Sequence, residues 1–210
     1  MCVCETANKS SEGLSALDQQ RIVDAAAPEG RGWLTNCVGL LASSEVAHLD
    51  LQVQSSVDGR EIVAQWREPS GCFALIVTYM FTDGRLRAQQ LVRLQGIVRG
   101  LQMKGVDNVI VTGDWNVVVD PELDVQHGSG ANDGHAELRL LMTSTRLVDV
   151  YELQQRPRLP NDFTWTPAGR LKEGQVVKRL DYFLITCIGR NPKVRVDQVW
   201  FDRPHPVTGT

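Results

Sequence analysis

Val109, Ile110 and Val111 are three consecutive β-branched residues. Successive side chains of a strand point to opposite faces, so an apolar run without alternation fits a strand covered on both sides. The run ends at once in Thr112-Gly113-Asp114-Trp115-Asn116. Gly, Asp and Asn are turn residues for steric and hydrogen-bonding reasons. The loop ends of central strands are also where folds place chemistry, and a carboxylate beside an amide offers an acceptor or base and a donor. The stretch alone is compatible with either role.

The elements that cover such a strand can be read along the chain. Cys2-Val3-Cys4 is a short apolar strand, and Leu14, Leu17, Ile22 and Ala25 fall near helical spacing before the Pro28-Glu29-Gly30 break. Residues 37–42 form a buried strand candidate. Residues 49–54 and 60–66 flank Asp58-Gly59, which suits a tight hairpin, and a strand over 72–79 follows. Leu86, Leu91, Leu94, Ile97 and Val98 recur among Arg and Gln over 84–104, predicting an amphipathic helix that feeds the Val109–Val111 run. Residues 136–146 read as another helix, 147–151 as a short extended segment or turn, and 163–166, 179–186 and 194–200 as strands. Hairpins predominate, which predicts an antiparallel-rich α/β sandwich in one domain over 1–210. Trp115, Trp165 and Tyr182 are of types found more often in a core than as stacking platforms.

The net charge of −3 means that affinity for a polyanion needs a local basic surface or a bound cation. No apolar stretch approaches the ~20 residues of a membrane span, and the N-terminus lacks both a basic and an apolar leader region. The chain therefore reads as soluble and intracellular, nuclear or cytoplasmic. Its five cysteines are odd in number and scattered, which fits free thiols rather than a zinc site or disulfide framework.

Acidic and amide side chains recur at strand ends: Glu5, Asp114, Asn116 and Asp181. Hard cations such as Mg²⁺ take oxygen ligands from one or two carboxylates and keep several waters. Phosphodiester hydrolysis uses the same parts, with a carboxylate to orient or deprotonate water and donors to hold the phosphate oxygens.

These residues sit in stretches with a recognisable order. CVCET is similar to a Q-E-T strand, GRGWLTNCVGLLAS to a Gly-Val-rich strand, and IVTYMFTDG to an N-x-Y-A-P region. GDWNVVVDPELD is similar to a G-D-F-N motif, LVDVYELQQRPRLPNDFTW to L-V-D-x-W … F-T-W, and KRLDYFLIT to S-R-I-D-Y-I-L. In this order they resemble the endonuclease/exonuclease/phosphatase superfamily, and within it the endonuclease domains of LINE-type non-LTR retrotransposons.

The resemblance implies a four-layer α/β sandwich of two mixed, largely antiparallel sheets flanked by helices. It implies a DNA phosphodiester backbone as substrate and Mg²⁺, or Mn²⁺, as cofactor. Carried over residue by residue, it makes Glu5 a metal ligand, Asp114 the group that positions or activates water, and Asn116 a phosphate donor. Tyr79 lies near that phosphate, and Asp181 orients a terminal histidine matched here by His205. Met80-Phe81 replaces the family's Ala-Pro, and FDRPHPVTGT matches the terminal S-D-H-x-P-V through Asp202 and His205 only with a slip. Met1 stands almost at Glu5, so the family's first strand and its asparagine are expected to be lacking and the domain incomplete at both ends. Two alternatives accompany the nuclease reading: a catalytically inert remnant of such a domain, and a phosphomonoesterase of the same superfamily.

Overall fold

The computed structural model describes residues 2–5, 15–27, 29–128, 133–153, 163–165 and 176–186. Along the chain the elements are β1 (Cys2–Glu5), α1 (Ala16–Ala26), β2 (Arg31–Leu34), β3 (Val38–Ala42), α2 (Ser44–Ala47), β4 (Gln52–Ser55), β5 (Glu61–Glu68), β6 (Gly71–Tyr79) and α3 (Gly84–Met103). They continue with β7 (Asn108–Asp114), β8 (Val125–Gln126), α4 (His135–Thr145), β9 (Leu147–Asp149), α5 (Val150–Leu153), β10 (Val177–Lys178) and β11 (Asp181–Thr186).

The large sheet runs β4-β5-β6-β7-β11-β9. Its neighbours are antiparallel except β6 and β7, which are parallel because α3 carries the chain back between them. Strand alternation divides its side chains between two cores. Ala74 and Ile76 of β6, Val109 and Val111 of β7, and Tyr182 and Leu184 of β11 pack under Leu91, Leu94 and Val98 of α3 and Leu138 and Leu141 of α4. Leu75 and Val77 of β6, Ile62 and Ala64 of β5, and Ile110 of β7 face the other way, with Val38 and Leu40 of β3. The β-branched run of β7 is thus covered on both faces, as its lack of alternation predicts.

The second sheet, β1-β3-β2, is antiparallel and presents β3 to the large one. Its outer side carries α1. A Cβ added to Gly32 of β2 would fall 2.2 Å from the Val23 side chain, so the bare glycine is what lets the helix approach. The order helices, large sheet, small sheet, helix is the four-layer sandwich expected. On the inner face of the large sheet, Phe183 of β11 is 40% exposed.

Several local readings need correction. The β4–β5 hairpin forms as read but begins later, over Gln52–Ser55, and the Ser56 hydroxyl, which accepts from the amides of Arg60 (3.0 Å) and Glu61 (2.9 Å), holds its five-residue loop. Residues 163–165 form no ladder. Trp165 makes one isolated bridge to Lys178, while Thr164 offers its hydroxyl rather than its backbone to the start of β11. Trp115 and Tyr182 are fully buried, but Trp165 is 39% exposed and is no core residue. The strand read at 194–200, together with Leu14, Cys187, Asp202 and His205, lies outside the described residues.

Candidate active site

Sheet register assembles the centre of the site. The parallel pairing of β6 with β7 sets Tyr79 beside Asp114, and the antiparallel pairing of β7 with β11 sets Asp181 opposite Asp114. Register neighbours share a face. Because Val109, Val111 and Tyr182 point to the helices, Asp114 and Asp181 point to the small-sheet side, as does Tyr79, which packs on the inner core. Residues 79, 114 and 181, far apart in sequence, thus form one row across three adjacent strands.

The loop after β7 is fixed by its own atoms. The Asn116 amide N–H donates to Asp114 Oδ1 at 2.9 Å, an Asx-type turn that aims the carboxylate. Asn116 takes φ +48°, a left-handed conformation that Asn tolerates better than most residues, and its Nδ2 donates to the Met80 carbonyl at 2.8 Å. One amide hydrogen of Asn116 is thereby engaged in joining this loop to the end of β6; an Asn amide carries two. Gly113 has φ +141°, and a Cβ there would lie 1.8 Å from the Thr78 carbonyl oxygen. Only glycine lets β6 and β7 come this close just before Asp114.

Asp181 is held from the β10 side. The Thr164 hydroxyl accepts from the amides of Leu180 (3.0 Å) and Asp181 (3.2 Å). Burial pushes the Asp181 carboxyl above its ordinary range, and a hydrogen bond from Thr164 offsets part of that shift.

Glu5 is placed by its backbone. It pairs with Val38 at the end of β3 next to Thr35, whose hydroxyl meets the Gly59 carbonyl at 2.5 Å. Arg60 follows Gly59, and its carbonyl accepts the Tyr79 amide at 3.0 Å. The C-terminal end of β1 therefore lies at the same end of the sandwich as the Tyr79–Asp114–Asp181 row.

Arg60 is a residue that sequence reasoning passed over. Its guanidinium lies 5.2 Å from the Tyr79 ring centroid and 3.9 Å from that of Phe81, and Nη1 donates to the Tyr79 carbonyl at 3.1 Å. It forms no ion pair with a carboxylate among the described residues. Stacked against two rings and without a carboxylate partner among the described residues, it is a natural anion contact. In the sequence it is only one charge after a turn, and the β5–β6 register alone reveals its neighbours.

Among the described residues no three His, Cys, Asp or Glu side chains gather into a ready metal cage. Mg²⁺ does not require one, since it binds through one or two carboxylates, waters and substrate phosphates. Asp114, a hard oxygen donor in the row, is of the type such a cation takes.

No protein-family model and no curated protein matches the sequence. Solved structures do match. Truncated TDP2 of Caenorhabditis elegans superposes with a TM-score of 0.53 at 18% identity, over 83% of this chain and 68% of that one. The AP endonuclease LMAP of Leishmania major gives 0.61 at 16% identity, over 76% of this chain and 62% of that one. The fold these structures share with the chain is the four-layer α/β sandwich. At these identities the likeness is one of architecture. The chain spans 62% of the length of the Leishmania protein and 52% of a longer C. elegans TDP2 structure.

Within this sandwich, a second group of residues, unforeseen from sequence, locks β11 in place. Arg179 is buried and donates to Asp124 Oδ1 at 3.0 Å and to Asp149. The Tyr182 hydroxyl, which reaches Asp124 Oδ2 at 2.9 Å, accepts from the Val119 amide. Burial works against the Arg179 charge, but the Asp149 and Asp124 carboxylates more than offset it and keep the guanidinium charged. Burial and the Asp124 charge push the Tyr182 phenol well up, so it stays neutral. The network ties residues 119–124 and β9 to the segment that delivers Asp181. Asp124 and Asp149 fall within the GDWNVVVDPELD and LVDVY stretches, but nothing in either pattern pairs them with Arg179.

Proposed function

We propose that the chain hydrolyses phosphodiester bonds of DNA by metal-assisted attack of water, as an endonuclease-like domain of non-LTR retrotransposon origin. The observation that carries the reading is the row of Tyr79, Asp114 and Asp181 on adjacent strands of this fold, at the end where β1 delivers Glu5.

In this scheme Asp114 orients or deprotonates the attacking water, and the Asn116 amide and Tyr79 phenol face the non-bridging oxygens. Arg60 supplies positive charge next to them. Asp181 orients an imidazole, for which His205 is the candidate. A Mg²⁺ or Mn²⁺ ion held by Glu5 and the neighbouring carboxylates would neutralise phosphate charge and lower the pKa of bound water. The GDWN, FTW and RLDYFL order supports the retrotransposon origin.

The test is incubation of the 210-residue chain with supercoiled plasmid and, separately, with a phosphomonoester such as p-nitrophenyl phosphate, each with Mg²⁺ or with excess chelator. Nicked circles formed only with the metal, and no hydrolysis of the monoester, are expected. Hydrolysis of the monoester without nicking would replace this reading with the phosphomonoesterase one.

A further inference from the structure

Beside the row lies an aromatic surface that the hydrolytic scheme does not use. Trp165 belongs to neither core cluster and is 39% exposed, whereas Phe163 two residues earlier is buried. Its backbone is fixed by two hydrogen bonds with Lys178, N–H to carbonyl in both directions at 2.8 and 3.0 Å. The Lys178 ammonium sits 5.7 Å from the centre of the indole ring. Between the two flanking residues, Thr164 bonds the amide of Asp181. Lys178 is three residues from Asp181, so the two backbones are at most about 10 Å apart.

The half-exposed ring is held in place, because its backbone is clamped to Lys178 of β10, three residues before Asp181. Every nucleobase offers a π-face that can stack on an indole, and an ammonium beside the ring suits the phosphate attached to that base. We propose that Trp165 and Lys178 form a stacking platform for an unpaired or unstacked nucleobase within a few nucleotides of the phosphate at Asp114. This assignment rests on the hydrolytic reading for what the row does, but binding at the platform needs no cleavage. It makes the preferred substrate a DNA with an accessible base, such as a single strand or a distorted duplex, over a continuous double helix.

The experiment measures binding without turnover. In chelator, fluorescence anisotropy follows titration of the full chain into a labelled 12-nucleotide DNA single strand and into an abasic strand of equal length and charge. The unaltered chain should bind the base-bearing strand more tightly, by roughly five- to hundredfold, the range spanned by stacking of one base. Trp165→Ala should erase that preference while leaving affinity for the abasic strand unchanged, and Trp165→Phe should keep most of it. Lys178→Ala should weaken both strands and make the dependence on salt shallower. Thermal unfolding of each variant shows that the chain is folded. A Trp165→Ala chain that retains the preference, or an unaltered chain that binds both strands equally or neither, overturns the platform. Plasmid nicking is scored separately: a base preference without nicking leaves the platform standing and removes the hydrolytic reading, and nicking without a base preference does the reverse.

Discussion

Asp181 shows how a buried carboxyl at a strand end can work against the stability of its own fold. Its carboxyl is pushed up by burial, so at intermediate pH the folded chain holds a proton that the unfolded chain has lost. By linkage, stability then falls as pH rises from the ordinary carboxylate range through the raised folded-state value, and levels off above it. Asp181→Asn removes the buried charge and keeps the shape. The variant should unfold at a higher temperature than the unaltered chain at pH 7, with the gap closing as pH is lowered toward the carboxyl's titration. Melting curves by circular dichroism across pH 4 to 8 check this, and a lower melting temperature at pH 7 would show that Asp181 is a stabilising ion. The same scale explains what was legible from sequence. Asp114, Asn116 and Asp181 lie within short motifs at strand ends, so residue types and order were enough to expect them near one another, and the register brings Asp114 and Asp181 together. Trp165 was misread because a large aromatic in a presumed strand is usually covered, and here the segment makes a single bridge at the strand's end.

At the scale of elements, the site depends on register. Gly113 admits the Thr78 carbonyl into the space a side chain would fill, and its positive φ is one that other residues adopt only with strain. Gly113→Ala should therefore force β6 and β7 apart beside Asp114, cost about 1–3 kcal/mol or more in urea unfolding, and displace Asp114 from Tyr79. Wild-type stability in that variant would mean the strand pair has slack. The β3, β5, β6, β7 and β11 segments and helices α1, α3 and α4 could be located from periodicity, because each buries a stripe or a face. Strand β2, with its half-exposed Arg31-Gly32-Trp33-Leu34, and the two-residue strands β8 and β10 were missed, having too few residues to show a period. Arg60 was missed for a related reason: its environment is created by pairing between β5 and β6, not by its neighbours in sequence.

Across the whole molecule, the position of β11 is set by charges drawn from three distant segments. Arg179 meets Asp124 and Asp149 in a dry interior, and nothing local in the sequence announces that they will meet. Arg179→Met should destabilise the fold by about 3–5 kcal/mol, because it strands two buried carboxylates; replacing Arg179, Asp124 and Asp149 together by apolar residues should cost much less. Equilibrium urea denaturation of the two variants decides it, and equal losses would show that the ion pairs contribute net stability. An antiparallel-rich α/β sandwich followed from one strand apolar on both faces and a hairpin-rich order of elements, its four-layer form only from the family resemblance, and the match to the solved TDP2 and AP endonuclease structures agrees with both.

What the Tyr79–Asp114–Asp181 row does is the central matter, and one measurement addresses it most directly: the rate of Mg²⁺-dependent nicking of supercoiled plasmid by the unaltered chain and by Asp114→Asn. The substitution keeps the volume and an oxygen able to accept the Asn116 amide, so both proteins should melt at similar temperatures. The account predicts that the unaltered chain nicks and that Asp114→Asn is slower by roughly 10²-fold or more, the loss expected on removing a general base. Nicking by Asp114→Asn at the rate of the unaltered chain, or no nicking by the unaltered chain with either Mg²⁺ or Mn²⁺, would contradict it.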